Sequence, residues 1–204
     1  MVQHPLSATL SRAFYAGDAV AVARALLGQR LVRILDGVRL SGRICETEAY
    51  RGPDDAASHG YRRTPRSSIM YGPPGIAYVY FIYGNHHCLN VVTDADGVSG
   101  AVLLRGVIPL AGLDVMRARR GTLMATRRDP LAGLADGPGK LTEALGVSLA
   151  QNGLDLTLRG ELFIEADAPA PGEEVVTTPR IGIGGDEEAR LRPWRFVWQP
   201  RGAA

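Results

Sequence analysis

The feature that most constrains the fold of this chain is the spacing of Arg30–Leu35, Asp36-Gly37 and Val38–Ala49. Arg30–Leu35 alternates as a strand. Asp-Gly between two such runs reads as a two-residue hairpin loop, because both loop residues tolerate the left-handed backbone that matches strand twist. An antiparallel pair is therefore predicted, and the rest of the chain follows it. Ile76–Ile82 is rich in β-formers, Tyr83-Gly84-Asn85 reads as a tight turn, and His87–Thr93 returns as a second hairpin arm. Asp94–Gly97 is another turn before an apolar strand, Gly100–Ile108, which carries Arg105. Leu162–Ala166, Arg180–Ile183 and Arg195–Trp198 are predicted as three further strands.

Helical signals are fewer. Asp18 reads as the N-cap of a helix over Val20–Leu27 that Gly28 stops. Leu113–Arg120 reads as a short helix, a second follows Gly137-Pro138-Gly139-Lys140-Leu141 and ends near Gly146, and Asp186–Leu191 is a helical turn. Met1–Ala16 reads as a loose lead-in. With 204 residues, 46% of them hydrophobic, the chain can bury one sizeable core. The expectation is α+β: a single domain over residues 1–204, mostly antiparallel sheet with surrounding helices.

The formal charge of +2 does not by itself imply nucleic acid, but Lys140 is the only lysine and the other 22 basic residues are Arg. Arg forks match phosphate oxygens in pairs; a compositional bias toward Arg, Ala and Gly gives the same count. The segment from Arg117 to Arg128 reads either as a phosphate-contacting arm or as a solvated loop. Cys45 and Cys88 have no metal-ligand spacing, and Cys45 fits a small apolar packing position. A disulfide-stapled secreted protein is disfavoured. The N-terminus lacks a basic-then-apolar signal pattern, and no apolar run approaches a membrane span. The expected setting is soluble and intracellular.

Function concentrates between Arg43 and Arg105. This stretch holds six of the seven tyrosines, three of the four histidines and both cysteines. Aromatic rings with polar tips, beside carboxylates, His and Arg, suit a site that stacks a flat polar ligand and moves protons next to it. Along Ile44-Cys45-Glu46-Thr47-Glu48-Ala49-Tyr50, strand alternation puts Glu46, Glu48 and Tyr50 on one face and the small residues on the other. Arg51–Pro74 is a long loop broken by Gly and Pro, and loops of that length inside a compact domain carry function or move. Arg62, Arg63 and Arg66 make it basic. No Gly-x-Ser-x-Gly elbow is present, which disfavours that class of serine hydrolase. His86-His87-Cys88 would send adjacent side chains to opposite faces of a strand, a poor metal site. Gly137–Leu141 suggests a phosphate grip without P-loop spacing. A metal-free acid/base site walled by aromatics remains.

The run Glu46-Thr47-Glu48-Ala49-Tyr50, with Gly52-Pro53, Asp55, Ala57 and His59, resembles the signature of the alkyladenine (3-methyladenine, methylpurine) DNA glycosylases. Tyr78-Val79-Tyr80, Ile82-Tyr83-Gly84, Cys88-Leu89-Asn90, Val102-Leu103-Leu104-Arg105, the 137–141 segment and Arg180-Ile181-Gly182-Ile183-Gly184 are similar in turn. The resemblance runs in order from about Ala23 to the final strand. It implies an enzyme that flips alkylated or deaminated purines (3-methyladenine, 7-methylguanine, hypoxanthine, ethenoadenine) out of duplex DNA and hydrolyses the N-glycosidic bond, with no metal or cofactor. By the same resemblance Glu48 activates water, and Arg105 with the main-chain carbonyl of Ile181 helps place it. Tyr50, His59 and Tyr80 wall the base pocket, Asn90 gates it against guanine, and Tyr83 is the wedge that fills the vacated stack. Arg62, Arg63, Arg66 and Lys140 are candidates for backbone phosphates. The sequence departs from the family pattern after the wedge, where Asn85 and His86 stand in place of apolar or aromatic residues.

The expected partner is double-stranded DNA containing damaged purines, met by a cytoplasmic, nucleoid-associated monomer. Two other classes remain open at this stage. One is a damage-binding module of the same fold that cleaves nothing. The other is an enzyme of free nucleosides, which would leave the wedge tyrosine and the Arg-rich loops without a purpose.

Overall fold

The computed structural model describes residues 7–121, 129, 131–167 and 174–199. The first hairpin forms as read. Asp36 (φ 50°) and Gly37 (φ 78°) are both left-handed and join β1 (Arg30–Leu35) to β2 (Val38–Arg51), with Leu35 opposite Val38. A second left-handed pair, Tyr83 (φ 55°) and Gly84 (φ 74°), turns β3 (Ala77–Ile82) into β4 (His86–Val92). The sheet is completed by β5 (Gly100–Ala111), β6 (Leu162–Glu165), β7 (Glu174–Thr178) and β8 (Arg195–Gln199). Its order is β3-β4-β5-β2-β1-β6, with β8 paired to β2 and β7 to β8. Every one of these pairings is antiparallel.

β2 is the organising strand. Along one edge it pairs with β5 over most of its length. Along the other it pairs first with β1, up to Arg43, and then with β8 at Glu46–Glu48. The change of partner coincides with irregular register between Ile44 and Thr47. Extra residues in one strand bend it and re-aim its side chains, and here the bend falls immediately before Glu48.

Period-two alternation then divides the sheet. One face (Ala49, Ala77, Val79, Leu89, Val91, Val102 and Leu104) enters the main core. There it meets Val22 and Leu26 from the segment of α2 (Ala19–Ala25), Met116 of α3 (Leu113–Arg120), and Leu141 and Leu145 of α4 (Pro138–Leu145). Asp18 caps α2, its Oδ1 accepting from Val20 N–H at 2.9 Å. The opposite face, over the same strands, carries Tyr50, Tyr78, Tyr80, Cys88, Asn90, Leu103 and Arg105 around a cavity. A fold that buried both faces in apolar contact would gain more hydrophobic stabilisation; this one keeps the second face for polar rings and ions.

Two expectations are corrected. Residues 7–16 are not a loose lead-in. Leu10 N–H donates to Ile164 O, Thr9 bridges Glu165, and a helix α1 (Arg12–Tyr15) places Tyr15 fully inside the core. Residues 1–6 lie outside the described residues. Arg180–Ile183 is not a strand either. The β-branched run Glu174–Thr178 is the strand instead, and Gly182 (φ 67°) takes a left-handed backbone that no extended strand contains. The following helical turn is α5 (Glu187–Leu191), capped by Asp186. Of the basic segment, Arg117 pairs with Asp114, and both Arg119 and Arg120 bond Glu143 on α4; Arg127 and Arg128 lie outside the described residues. No helix among the described residues is long and apolar enough to cross a membrane.

Candidate active site

The cavity encloses about 370 Å³, room for a single flat heterocycle. Strand register sets its floor: Tyr78 of β3 lies opposite Asn90 of β4, Asn90 opposite Leu103 of β5, and Leu103 opposite Glu48 of β2. One row of alternating positions therefore brings three hairpin-linked strands and the candidate base into line.

Glu48 has no exposed side-chain surface. It lies just behind the cavity wall, and three residues that line the wall hold it. Ile181 N–H donates to Oε1 at 2.8 Å, the Tyr50 hydroxyl donates to Oε2 at 2.8 Å, and Arg105 Nη1 stands 3.3 Å from Oε1. Burial raises the Tyr50 pKa well above the usual phenol value, and the Glu48 carboxylate adds to this, so the hydroxyl keeps its proton and remains a donor. Burial opposes the charge on Arg105, but Glu48 and Glu46 outweigh it and hold the guanidinium above its ordinary range. A buried carboxylate needs such partners, since charge removed from water without pairing is expensive.

The aromatic wall follows from the loop between β2 and β3. Ser58 accepts from Gly60 N–H and starts a short 3-10 turn at His59. Gly60 lies so close to Ser99 that a Cβ there would stand 1.7 Å from its Oγ; only glycine lets the turn sit this deep. The turn delivers His59 to the cavity rim. Its Nδ1 is 2.9 Å from the Tyr78 hydroxyl, and its ring stands edge-on to Tyr80 at 4.7 Å. His59 keeps an exposed edge, yet burial against these rings lowers its pKa below the usual imidazole value, and the charge of Arg66 adds to the effect. Tyr78, Tyr80 and Cys88 all have raised pKa values, with burial the first cause of each. These rings and the thiol are thus neutral, and Arg105 is the charged member of the same wall.

Tyr50, His59, Tyr80, Asn90, Tyr83, Arg105 and Ile181 line one cavity, with Glu48 directly behind three of them. Ile181 reaches Glu48 through its main-chain N–H, where the resemblance had pointed to its carbonyl. Asn90 is buried, and its Nδ2 donates to Tyr78 O at 3.0 Å while its side chain lines the cavity. Tyr83 stands at the hairpin tip, 79% exposed. The tip rests on α4: a Cβ on Gly139 would stand 2.9 Å from the His86 ring. Arg62, Arg63 and Arg66 are exposed outside the cavity, with Arg66 4.8 Å from the Tyr80 ring centre and Arg63 4.9 Å from that of Tyr71. Lys140 lies beside the cavity wall on α4, but its Nζ is tied to Asp136 at 2.8 Å. Among the described residues no group of three or more His, Cys, Asp or Glu is arranged to hold a metal ion. Both cysteines are free, and burial, with Glu46 beside it, pushes the Cys45 thiol up to about 12.

Sequence reasoning missed the ties behind the wall. Arg180 is fully buried against Asp55, with Nη1–Oδ2 at 2.5 Å and Nη2–Oδ1 at 2.7 Å, and it also donates to Ala49 O and Ala189 O. It lies over the rings of Tyr50 and Trp194. Both residues belong to the motifs quoted above, but a pair 125 residues apart leaves no periodic trace in a sequence. Arg195, bonded to Glu46, was missed for the same reason.

The sequence profile of the methylpurine-DNA glycosylase (MPG) family matches residues 13–201. A protein of Bacillus cytotoxicus that carries the provisional name 3-methyladenine DNA glycosylase is 47% identical over 191 residues, 91% of this chain and 94% of the relative. One from Bacillus mycoides, under the same provisional name, is 44% identical over 191 residues, again 91% and 94% of the two chains. The chain is thereby placed among the DNA glycosylases, hydrolases acting on N-glycosyl bonds. Within that class it belongs to the methylpurine-DNA glycosylase family.

Proposed function

We propose that the protein acts as a monomer on duplex DNA, flips an alkylated or deaminated purine into the cavity and hydrolyses its N-glycosidic bond with Glu48 as the base. The observation that carries this reading is the buried Glu48 carboxylate, held behind an aromatic cavity by Ile181 N–H, Arg105 and the Tyr50 hydroxyl. A carboxylate so placed has no use in a module that only binds polyanionic DNA. In the reaction a water oxygen bonds to C1′ of the sugar and gives a proton to Glu48. The C1′–N bond breaks, and its electron pair leaves with the purine. A purine already cationic from alkylation departs neutral. The same carboxylate offsets positive charge building on the sugar. Neutral rings of Tyr50, Tyr80 and His59 favour a cationic base, since ring faces attract cations, and the charge of Arg105 in the same wall is offset by Glu48 and Glu46.

A duplex carrying one modified purine, assayed for abasic sites, tests this reading against its rivals. Abasic product from the duplex supports it. Binding without product identifies a damage-binding module, and cleavage of the free nucleoside alone identifies a nucleoside hydrolase.

Tyr83 fits the wedge because its ring is rigid, exposed and fixed on a left-handed turn. Extruding a base costs a few kcal/mol, and less when the base is poorly paired. Tyr83→Ser is therefore expected to slow excision of a stably paired lesion more than the same lesion in single-stranded DNA. Equal losses on the two substrates would remove the wedge role.

Asn90 would exclude guanine, whose exocyclic N2 amino group collides with a side chain already fixed to Tyr78 O. Asn90→Ala or Asn90→Ser should raise the rate on mispaired guanine relative to hypoxanthine in matched duplexes. A folded variant with an unchanged ratio would make Asn90 a purely structural tie between β3 and β4.

A further inference from the structure

The two carboxylates on the cavity side of β2 are bonded very differently. Glu48 is held by one amide and one hydroxyl, with a single guanidinium nitrogen at 3.3 Å. Glu46, one alternation earlier, takes two guanidinium groups on one oxygen: Arg105 Nε at 2.8 Å and Arg195 Nε at 2.6 Å, both to Oε1. All three side chains are largely buried. Arg195 is the informative member. In the β2–β8 pairing it lies directly opposite Glu48, not Glu46, which faces Val197. Cross-strand neighbours on one face are the pairs that ordinarily interact, so the default partner of Arg195 is Glu48. The observed partner is the diagonal one. Arg195 Nη1 donates to Thr178 Oγ1 at 2.9 Å and fixes the side chain in that direction.

We infer that Glu46 is a positioning residue that holds Arg195, and the Nε edge of Arg105, away from Glu48, so that the Glu48 carboxylate keeps acceptor capacity for water. The inference rests on the reading of Glu48 as the base. Two guanidinium groups and two carboxylates balance in a space with little water. With Glu46 neutral, the cluster would carry an excess positive charge. Both arginines would then compete for Glu48, where opposite charges at contact favour the ionised carboxylate and weaken it as a proton acceptor.

Single-turnover excision from a duplex containing one hypoxanthine tests this, with the full chain in four forms: wild type, Glu46→Gln, Arg195→Met and Glu46→Gln/Arg195→Met. Glutamine keeps the volume of Glu46 and an acceptor oxygen. Glu46→Gln should slow excision by about tenfold or more, without weakening binding to the same duplex. Arg195→Met should stay within about threefold of wild type, because Glu46 still holds Arg105. The double variant should recover most of the rate, because the freed guanidinium is gone. A merely structural Glu46 predicts the reverse, with the double variant at least as slow as Glu46→Gln, and that result overturns the inference. A wild-type rate for Glu46→Gln also overturns it. If Glu46→Gln fails to fold by circular dichroism, Arg195→Met decides alone, and a loss beyond about tenfold rejects the assignment. Glu48→Gln measured alongside separates the two claims: inactive Glu48→Gln with fully active Glu46→Gln removes only the positioning role, whereas active Glu48→Gln removes the base and this inference with it.

Discussion

Glu48→Gln is expected to bind a damaged duplex normally and to lose excision by about 10²- to 10⁴-fold or more. A positioned general base is typically worth about that factor, and loss of the charge that offsets the sugar cation adds to it. The fold should survive the change. Glutamine fills the same volume, its carbonyl oxygen can accept from Ile181 N–H, and its amide can donate to the Tyr50 oxygen, replacing the bonds now made to Oε1 and Oε2. Arg105 loses one negative neighbour but keeps Glu46 at 2.8 Å. The measurement is single-turnover excision of hypoxanthine from a duplex, with binding followed separately by anisotropy. A variant within about tenfold of wild type would mean that Glu48 is not the base.

Asp55→Ala is expected to have the largest effect on stability. The Asp55–Arg180 pair has no exposed side-chain surface on either member. Removing the carboxylate leaves a guanidinium buried with two main-chain carbonyls, Ala49 O and Ala189 O, and no counter-charge. Breaking such a pair from one side costs roughly 3–5 kcal/mol, which for a chain of this size lowers Tm by roughly 6–20 °C. Urea unfolding followed by circular dichroism measures it, and a change below about 1 kcal/mol would contradict the burial of the pair. The loss should reach activity as well. Arg180 immediately precedes Ile181, whose N–H holds Glu48, so loosening Arg180 loosens the group that orients the base. Arg180→Lys should not rescue the pair, because one ammonium cannot meet both carboxylate oxygens and two carbonyls in a plane.

The sequence by itself determined the local geometry. Asp36-Gly37 could be read as a turn because left-handed backbone has a residue preference. Asp18 could be read as a cap because its side chain satisfies amides two and three positions along. That Glu46, Glu48 and Tyr50 share a face, as do Tyr78 and Tyr80, follows from the period of a strand and needs no knowledge of what the strand packs against. Alternation alone put Tyr50 beside Glu48; His59, Tyr80, Tyr83, Asn90, Arg105 and Ile181 were assigned to the site by the resemblance of their motifs to a known family.

Only the tertiary structure decided which of these residues act on each other. Nothing local says that β2 exchanges β1 for β8 beside Glu48, that Ile181 N–H is spent on Glu48 instead of a strand ladder, or that Arg195 turns to Glu46 past its direct neighbour. It also placed Leu10 and Tyr15 in the core, where the sequence showed only a weakly patterned lead-in. The reason is physical. Turn, cap and alternation preferences are set within a few residues, whereas ion pairs and buried amides are settled by desolvation once distant segments meet, and Asp55 with Arg180 or Glu46 with Arg195 meet across more than a hundred residues of chain.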